Sequence, residues 1–520
     1  MMPLLLAVAV TLPLLACGAV LLLRRRPAAR EAASVAAGVA LAATMLSLWP
    51  AAGQDVRLTL WSWLPGLSLE FALEPLGLLF ATVAAVLWPV TTVFAAGYLR
   101  ASETPHQTRF FAFFALAIVA AMWIALSANL VTLFIGYEIM TVATWPLVAH
   151  GGDAAARRGA RIYAAILLTS SIGLMLPAVV WTWVLAGDTT FRPGGLLGGT
   201  AGTGVLTVLF ALYLFGIGKA ALMPVHRWLP AAMVAPAPVS ALLHAVAVVK
   251  AGVFAVLKVT VYVFGIDTLT ETGAAAPMSW VAAFTVVAAA VIAIRSDNLK
   301  RRLAYSTVGQ LAYIVLGATL ARDIAVAGGV FHLVTHAAGK ITLFLCAGAI
   351  AVTARRTRVS ELDGLGRAMP WTFAAFLTAA LSIIGLPPLG GTWSKWLLLM
   401  GAVEAGQFAR LRGAVLRRGG RTRAAGRDPG GAVNDDDDRR RLDEPRNVTR
   451  IVYGLAVLCA LIFAADLFYT KHPHFAVEEW FGFHAVYGFV GAFALVIVAK
   501  GLRRVLRRDE DYYERGGDDG

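Results

Sequence analysis

Residues 328–348 read GGVFHLVTHAAGKITLFLCAG, an apolar run with two histidines and a lysine in its middle. About 20 apolar residues in helical form cross the ~30 Å hydrocarbon core of a bilayer. A lysine at the centre of such a helix costs ~2.5–3.5 kcal/mol on insertion scales, so ionisable groups there are rare and usually functional. His332, His336 and Lys340 follow one another at intervals of four, which places them in one stripe on one helix face. A stripe of that kind belongs against a bundle interior or a wet cavity and not against acyl chains.

The rest of the chain repeats the apolar pattern. Of its 520 residues, 59% are hydrophobic and 15% charged, against ~25% charged in soluble domains. Spans are predicted near 3–23, 32–51, 75–98, 109–127, 130–149, 162–186, 203–223, 238–264, 277–294, 303–320, 325–353 and 370–400, with two more near 451–469 and 482–501. Backbone polar groups in lipid must be satisfied within the segment, so the runs are helices. Residues 53–74 alternate polar and aromatic types and read as an exposed loop or hairpin. Positive charges follow the first run and do not precede it, so it is taken as a helix and not as a signal peptide. Cys17, Cys346 and Cys459 form no CxxC or Cys/His cluster, so neither a zinc site nor a disulfide framework is expected.

Net charge is +14. In a soluble protein that would suggest nucleic acid, but here it sits in loops. Alternate loops carry Arg24–Arg26 and Arg30, Arg100 and Arg109, Arg157, Arg158 and Arg161, Arg227, Arg295 and Lys300–Arg302, and Arg355, Arg356, Arg358 and Arg367. The other side carries Arg57, Arg192 and Arg322. The positive-inside rule places the arginine-rich loops in the cytoplasm and the N-terminus outside.

Further ionisable residues interrupt the spans. Glu138 lies in LVTLFIGYEIMTVATWPLV (130–148) and Lys219 in FALYLFGIGKAALMPVHRWLP (210–230). His244 and Lys250 lie in PVSALLHAVAVVKAGVFAVLKV (238–259), and Lys395 in LPPLGGTWSKWLLLM (386–400). Lys219 precedes Pro224, and Lys395 follows Gly385, Pro387, Pro388, Gly390 and Gly391. Proline removes a helical hydrogen bond and clashes with the preceding turn. A broken helix in each half of a membrane protein points to an ion site between inverted repeats. The chemistry on offer is proton transfer among carboxylate, lysines, histidines and water, with Glu138 gating the proton held by Lys219. Other polar residues have plainer readings: Lys258 as a snorkelling anchor, Glu70 and Glu74 as interfacial, the tryptophans as belt or packing residues. His106, His150 and His226 lie in or beside loops, where solvation accounts for them. Gly216-Ile217-Gly218-Lys219 only faintly suggests a phosphate loop: Tyr213 stands where its first glycine should be, and Ala220 where Ser/Thr should. No nucleotide, iron–sulfur or GxSxG motif is present, so redox chemistry by the chain itself is not expected and whether it is an enzyme component stays open.

HRWLPAAMVAPAPVSALLHAVAVVKAGVF (226–254), DNLKRRLAYSTVGQLAYIVLG (297–317), FHLVTHAAGKITLFLCAGAI (331–350) and GLPPLGGTWSKW (385–396) resemble the large proton-translocating subunits shared by respiratory NADH:quinone oxidoreductase, membrane hydrogenases and Mrp-type multisubunit Na+/H+ antiporters. HAVAVVKAG and HAAGKITLF tilt the resemblance towards the Mrp D subunit. It implies an all-α polytopic protein of about fourteen transmembrane helices, with two inverted five-helix repeats containing broken helices. It further implies that Glu138 pairs with Lys219, and that His244, Lys250, His332, His336 and Lys340 form a central hydrophilic axis ending at Lys395. No cofactor and no metal are implied. The implied partners are other antiporter subunits, protons, Na+ or K+, and the lipid of a bacterial inner membrane, with no nucleic acid.

The resemblance covers residues 1–408. Residues 409–449 form a polar, charged linker, read as a frameshift or fusion junction, and 450–520 a two-helix membrane segment with a charged tail. The arginines of 410–441 and of the tail both belong inside, yet strict alternation puts them outside, so one crossing near residue 405 is missing and the second repeat incomplete. The expected function is proton conduction in a cation/proton antiporter. The alternatives are a pumping subunit of a respiratory dehydrogenase or hydrogenase, a subunit energising inorganic-carbon uptake, or an inert scaffold.

Overall fold

The computed structural model describes residues 2–64 and 67–405. The linker 409–449, the segment 450–520 with its two spans, and the missing crossing near residue 405 lie outside the described residues.

Helices α1 (Met2–Leu22) and α2 (Pro27–Leu48) pack on each other and on α4 (Gln107–Ala125) and α3 (Pro75–Ala101). Then follow α5 (Leu130–Val148) and α6 (Ala154–Ala186), the latter a 33-residue helix with a π-helical turn at Ser171–Met175. The run predicted at 203–223 ends as a helix, α7 (Thr203–Gly216), seven residues early. The next run is also interrupted: Ala237–Ala241, a π-turn at Leu242–Val246, then α8 (Val248–Val259) and a second π-turn at Thr260–Phe264. Helices α9 (Ala276–Ile294), α10 (Leu299–Thr319) and α11 (Asp323–Thr353) are continuous. The run predicted at 370–400 is two helices, α12 (Pro370–Ile384) and α13 (Gly390–Glu404). Among the described residues, eight helices are long and apolar enough to span a membrane. The polytopic α-helical class therefore stands.

Several boundaries have local causes. Asn129 caps α5 by accepting the Thr132 N–H at 2.7 Å, and Asp153 and Asn298 cap α6 and α10 in the same way. Gly385 ends α12 in the left-handed region, with φ +93°. The Leu386 N–H returns to Leu381 O at 3.0 Å, closing the helix end.

Residues 53–74 contain an antiparallel hairpin, β1 (Arg57–Leu64) with β2 (Leu67–Ala72), in register Arg57↔Ala72 and Thr59↔Glu70. Its inner strand is bonded onward to the loop before α5: Ala72 N–H donates to Leu126 O at 2.8 Å and Ala128 N–H to Glu70 O at 2.9 Å. Phe191 N–H then donates to Ala128 O at 2.9 Å, extending the backbone floor across to the 187–200 loop. This floor lies on the side opposite the arginine-rich loops.

On the arginine side, Arg30 falls within α2 and is buried, not solvated in a loop. Together with Arg100 it pairs with the buried Glu31, and it donates to Thr108 Oγ1 at 2.8 Å, tying α2, α3 and α4 together.

Candidate functional site

The broken helix after α7 presents its own backbone to the interior. Lys219 follows Gly218 in a single 3-10 turn and is fully buried. Its freed amide donates to Tyr137 Oη at 2.9 Å, and the freed Gly218 carbonyl accepts Trp228 Nε1–H at 2.9 Å. Satisfied in this way, the interruption is tolerated at membrane depth. The Lys219 ammonium donates to Tyr137 O at 2.8 Å and Thr141 Oγ1 at 2.6 Å, and lies 3.2 Å from the Tyr137 ring centroid. Gly252 on α8 lets this turn come close: a Cβ there would stand 2.3 Å from the Lys219 carbonyl carbon.

Glu138 is next to Tyr137 but does not pair directly with Lys219. Its Oε1 is buried without a hydrogen-bond partner among the described residues. The expected pair is thus open, with Tyr137 and Thr141 in the first contact layer. His244 lies on the π-turn Leu242–Val246; its side chain lies outside the described residues.

Lys250 on α8 meets α11. Its Nζ contacts His336 Nδ1, and the His336 ring stacks on His332 with centroids 5.8 Å apart. His332 Nδ1 is 2.8 Å from Ser394 Oγ on α13, and Nε2 is 3.1 Å from Gln310 Oε1 on α10. Lys340 donates to Ser306 Oγ at 2.8 Å and Leu303 O at 3.3 Å. Lys250, His332, His336 and Lys340 are all buried. Lys395 donates to Ile383 O at 2.7 Å and Ile384 O at 2.9 Å, the last carbonyls of α12. Those carbonyls have no helical partner and carry the negative end of the helix dipole. The Tyr313 ring lies 5.4 Å from Lys395 Nζ and 6.1 Å from the His332 ring.

The sequence-predicted residues therefore fall into three places. Lys250, His336 and His332 form one connected line across α8, α11 and α13. Lys219 sits on the other side of α8 with Tyr137 and Thr141. Lys340 and Lys395 flank the histidines, each held by uncharged oxygens. The sequence reading missed Tyr137, Thr141, Ser306, Gln310 and Ser394. A signal for three neighbours was present: Ser306, Gln310 and Tyr313 are spaced as one helical face of α10.

Three expectations are corrected. Lys258 is not a snorkelling anchor but fully buried. It pairs with Glu74 Oε2 at 3.1 Å, donates to Ser127 O, and lies 4.4 Å from the Phe191 ring centroid. Glu74 is accordingly an internal partner, not a merely interfacial residue. The side-chain count from the helix end suggested an anchor, but the hairpin floor covers that end. His150 is likewise not solvated: it is 2% exposed, with Nε2 3.1 Å from Pro105 O and its ring against Phe110. Burial, and then the neighbouring Arg109 charge, lower its proton affinity to a pKa of about 4.

Known proteins share this architecture. Residues 127–415 match the family described as NADH:quinone oxidoreductase/Mrp antiporter, TM. The chain is 32% identical over 391 residues to NADH-quinone oxidoreductase subunit N of Desulforudis audaxviator (strain MP104C), covering 73% of this chain and 75% of that one. It is 31% identical over 365 residues to NADH-quinone oxidoreductase subunit L of Mycobacterium tuberculosis (strain ATCC 25618 / H37Rv), covering 67% of this chain and 52% of that one. Among solved structures, a chain of the Mrp complex from Dietzia sp. DQ12-45-1b superposes with TM-score 0.67 at 26% identity. That match covers 78% of this chain and 43% of the other. The chain belongs to the NADH:quinone oxidoreductase/Mrp antiporter transmembrane family.

Proposed function

We propose that the chain is a proton-conducting subunit of a multisubunit monovalent cation/proton antiporter in a bacterial inner membrane, comparable to an Mrp D subunit. The observation that carries this is the buried line Lys250–His336–His332, flanked by Lys219, Lys340 and Lys395. Protonatable groups in contact at membrane depth are costly to keep, and that cost points to a function for them. In this reading Glu138 gates the proton held by Lys219, and a proton on Lys219 alters the occupancy of Lys250 on α8. The histidines then pass charge towards Lys340 and Lys395. Other subunits complete the cation path, and Na+ or K+ is the exchanged ion. A second reading, a pumping subunit of an NADH:quinone oxidoreductase, is favoured by the three-quarter coverage of subunit N.

The test is Na+- or K+-driven pH change in vesicles carrying the full complex. Lys250→Met and Glu138→Gln should each lower it at least about tenfold at normal membrane levels. Parental rates in both variants would overturn the proposal. Dependence on NADH oxidation, with no response to Na+ or K+ gradients, would favour the second reading.

A further inference from the structure

His332 has an unusual pair of neighbours. Nε2 faces the carbonyl oxygen of Gln310, which only accepts. Nδ1 faces the Ser394 hydroxyl, which can donate or accept. Ser394 Oγ also lies 3.1 Å from Gly391 O, a second acceptor for its single hydrogen. Both His332 and Ser394 are buried away from bulk solvent.

A buried imidazole that changes charge needs hydrogen-bond partners in both states, because each unmet group carries the full desolvation penalty. This site provides them with one bond rotation. In neutral His332, Nε2–H donates to Gln310 and the Nδ1 lone pair accepts the Ser394 O–H. When a proton arrives, it occupies that lone pair. The Ser394 hydrogen turns to Gly391 O, and Ser394 Oγ then accepts the new Nδ1–H. The Ser394 Oγ–Nδ1 contact is kept with its direction reversed, and no heavy atom moves. We propose that Ser394, with Gln310, is a positioning residue that makes His332 a switchable proton store loading at Nδ1. This rests on the proton-conducting reading above and deepens it.

The placement connects two elements. Gly391 and Ser394 belong to the first turn of α13, directly after the break that exposes Ile383 O and Ile384 O to Lys395. The Ser394 hydroxyl therefore reports the charge of α11 to the turn that carries Lys395. The groups facing His332 are Gln310 and Tyr313 from α10, Ser394 from α13 and His336 on its own helix, with the Lys395 and Lys250 charges beyond them. No carboxylate touches the ring among the described residues, so the hydroxyl is the adjustable partner.

The experiment uses the full complex in vesicles, with Ser394→Ala, Ser394→Thr and Lys250→Met side by side, and 15N-histidine NMR assigned through His332→Gln. Ser394→Ala should lower proton transport at least about tenfold at normal membrane levels. Ser394→Thr, which keeps the hydroxyl, should recover half or more. In Ser394→Ala the midpoint of His332 titration at Nδ1 should move by about one pH unit or more. Ser394→Ala transporting within about twofold of the parent, while Lys250→Met is inactive, overturns the switch and leaves the proton-axis reading intact. Parental transport in Lys250→Met as well overturns both. Equal loss in Ala and Thr variants with an unmoved His332 titration shows a packing role and also overturns the switch.

Discussion

Lys250 and Lys258 stand on one helix, about two turns apart, and are held in opposite ways. Lys258 has a carboxylate, a backbone carbonyl and the Phe191 face around it. Every one of these partners favours the ammonium over the neutral amine. Lys250 touches a histidine nitrogen, and Lys219, Lys340 and Lys395 touch carbonyls and hydroxyls. A group held only by neutral partners can give up its proton without leaving a bare counter-charge behind. In the proposed proton-conducting reading, burial alone does not mark a transport residue; the charge of the partner separates a clamp from a carrier.

The strongest way to break this comparison is to remove the two charges separately. Lys258→Met leaves Glu74 with no cation in a largely buried place, which should destabilise the assembled protein by about 3–5 kcal/mol. Adding Glu74→Gln should return most of that loss, since the uncompensated charge is gone. Lys250→Met should leave thermal stability in detergent near parental while transport is lost. Thermal unfolding of the four proteins, with transport scaled to folded protein, gives both readouts. If Lys258→Met/Glu74→Gln is fully folded yet transports nothing, Lys258 is a carrier and the distinction fails.

A smaller effect sharpens the carrier side. Tyr137 accepts the freed Lys219 N–H through its hydroxyl and presents its ring and carbonyl to the ammonium. Tyr137→Phe keeps the ring and the carbonyl but leaves the buried amide unmet, a loss of about 1–3 kcal/mol. The broken turn should loosen, seen as faster amide exchange at residues 217–221. Unchanged exchange there would show that the hydroxyl does not hold the turn.

The two lysines also mark what a sequence can and cannot display. The spans and the stripe His332–His336–Lys340 were legible because helical period and hydropathy are local properties. The breaks at 217–220 and 385–389 were signalled by glycine and proline, although the continuous runs 203–223 and 370–400 overstated both helices. Lys258 was misread because its environment is not local: Glu74, Ser127 and Phe191 converge on it from three other segments. Lys258 and Lys250 carry the same side chain in nearly the same apolar context, and only the tertiary partners tell them apart. Glu138 and Lys219 are a related case, since the partners that Lys219 takes instead, Tyr137 and Thr141, are chosen by tertiary packing and not by sequence spacing.

The smallest expected effect concerns the other end of α5, the helix that carries Glu138. Asn129 and the Lys258 cage fix its beginning; His150, just past its end, fixes the other through Pro105 and Phe110. Here the held group is neutral. Burial, with Arg109 and His106 adding like charge, lowers its pKa from the ordinary 6.5 to about 4. The folded protein therefore binds this proton less readily than the unfolded chain. Its contribution to stability is complete above pH ~6.5 and is lost as pH falls towards 4. His150→Gln, which keeps a donor for Pro105 O but cannot titrate, should flatten the fall in thermal stability between pH 6.5 and 4. An unchanged pH slope in that variant would mean that the α5 end is held by packing alone, and that the contrast between charged and neutral anchors stops at Lys258.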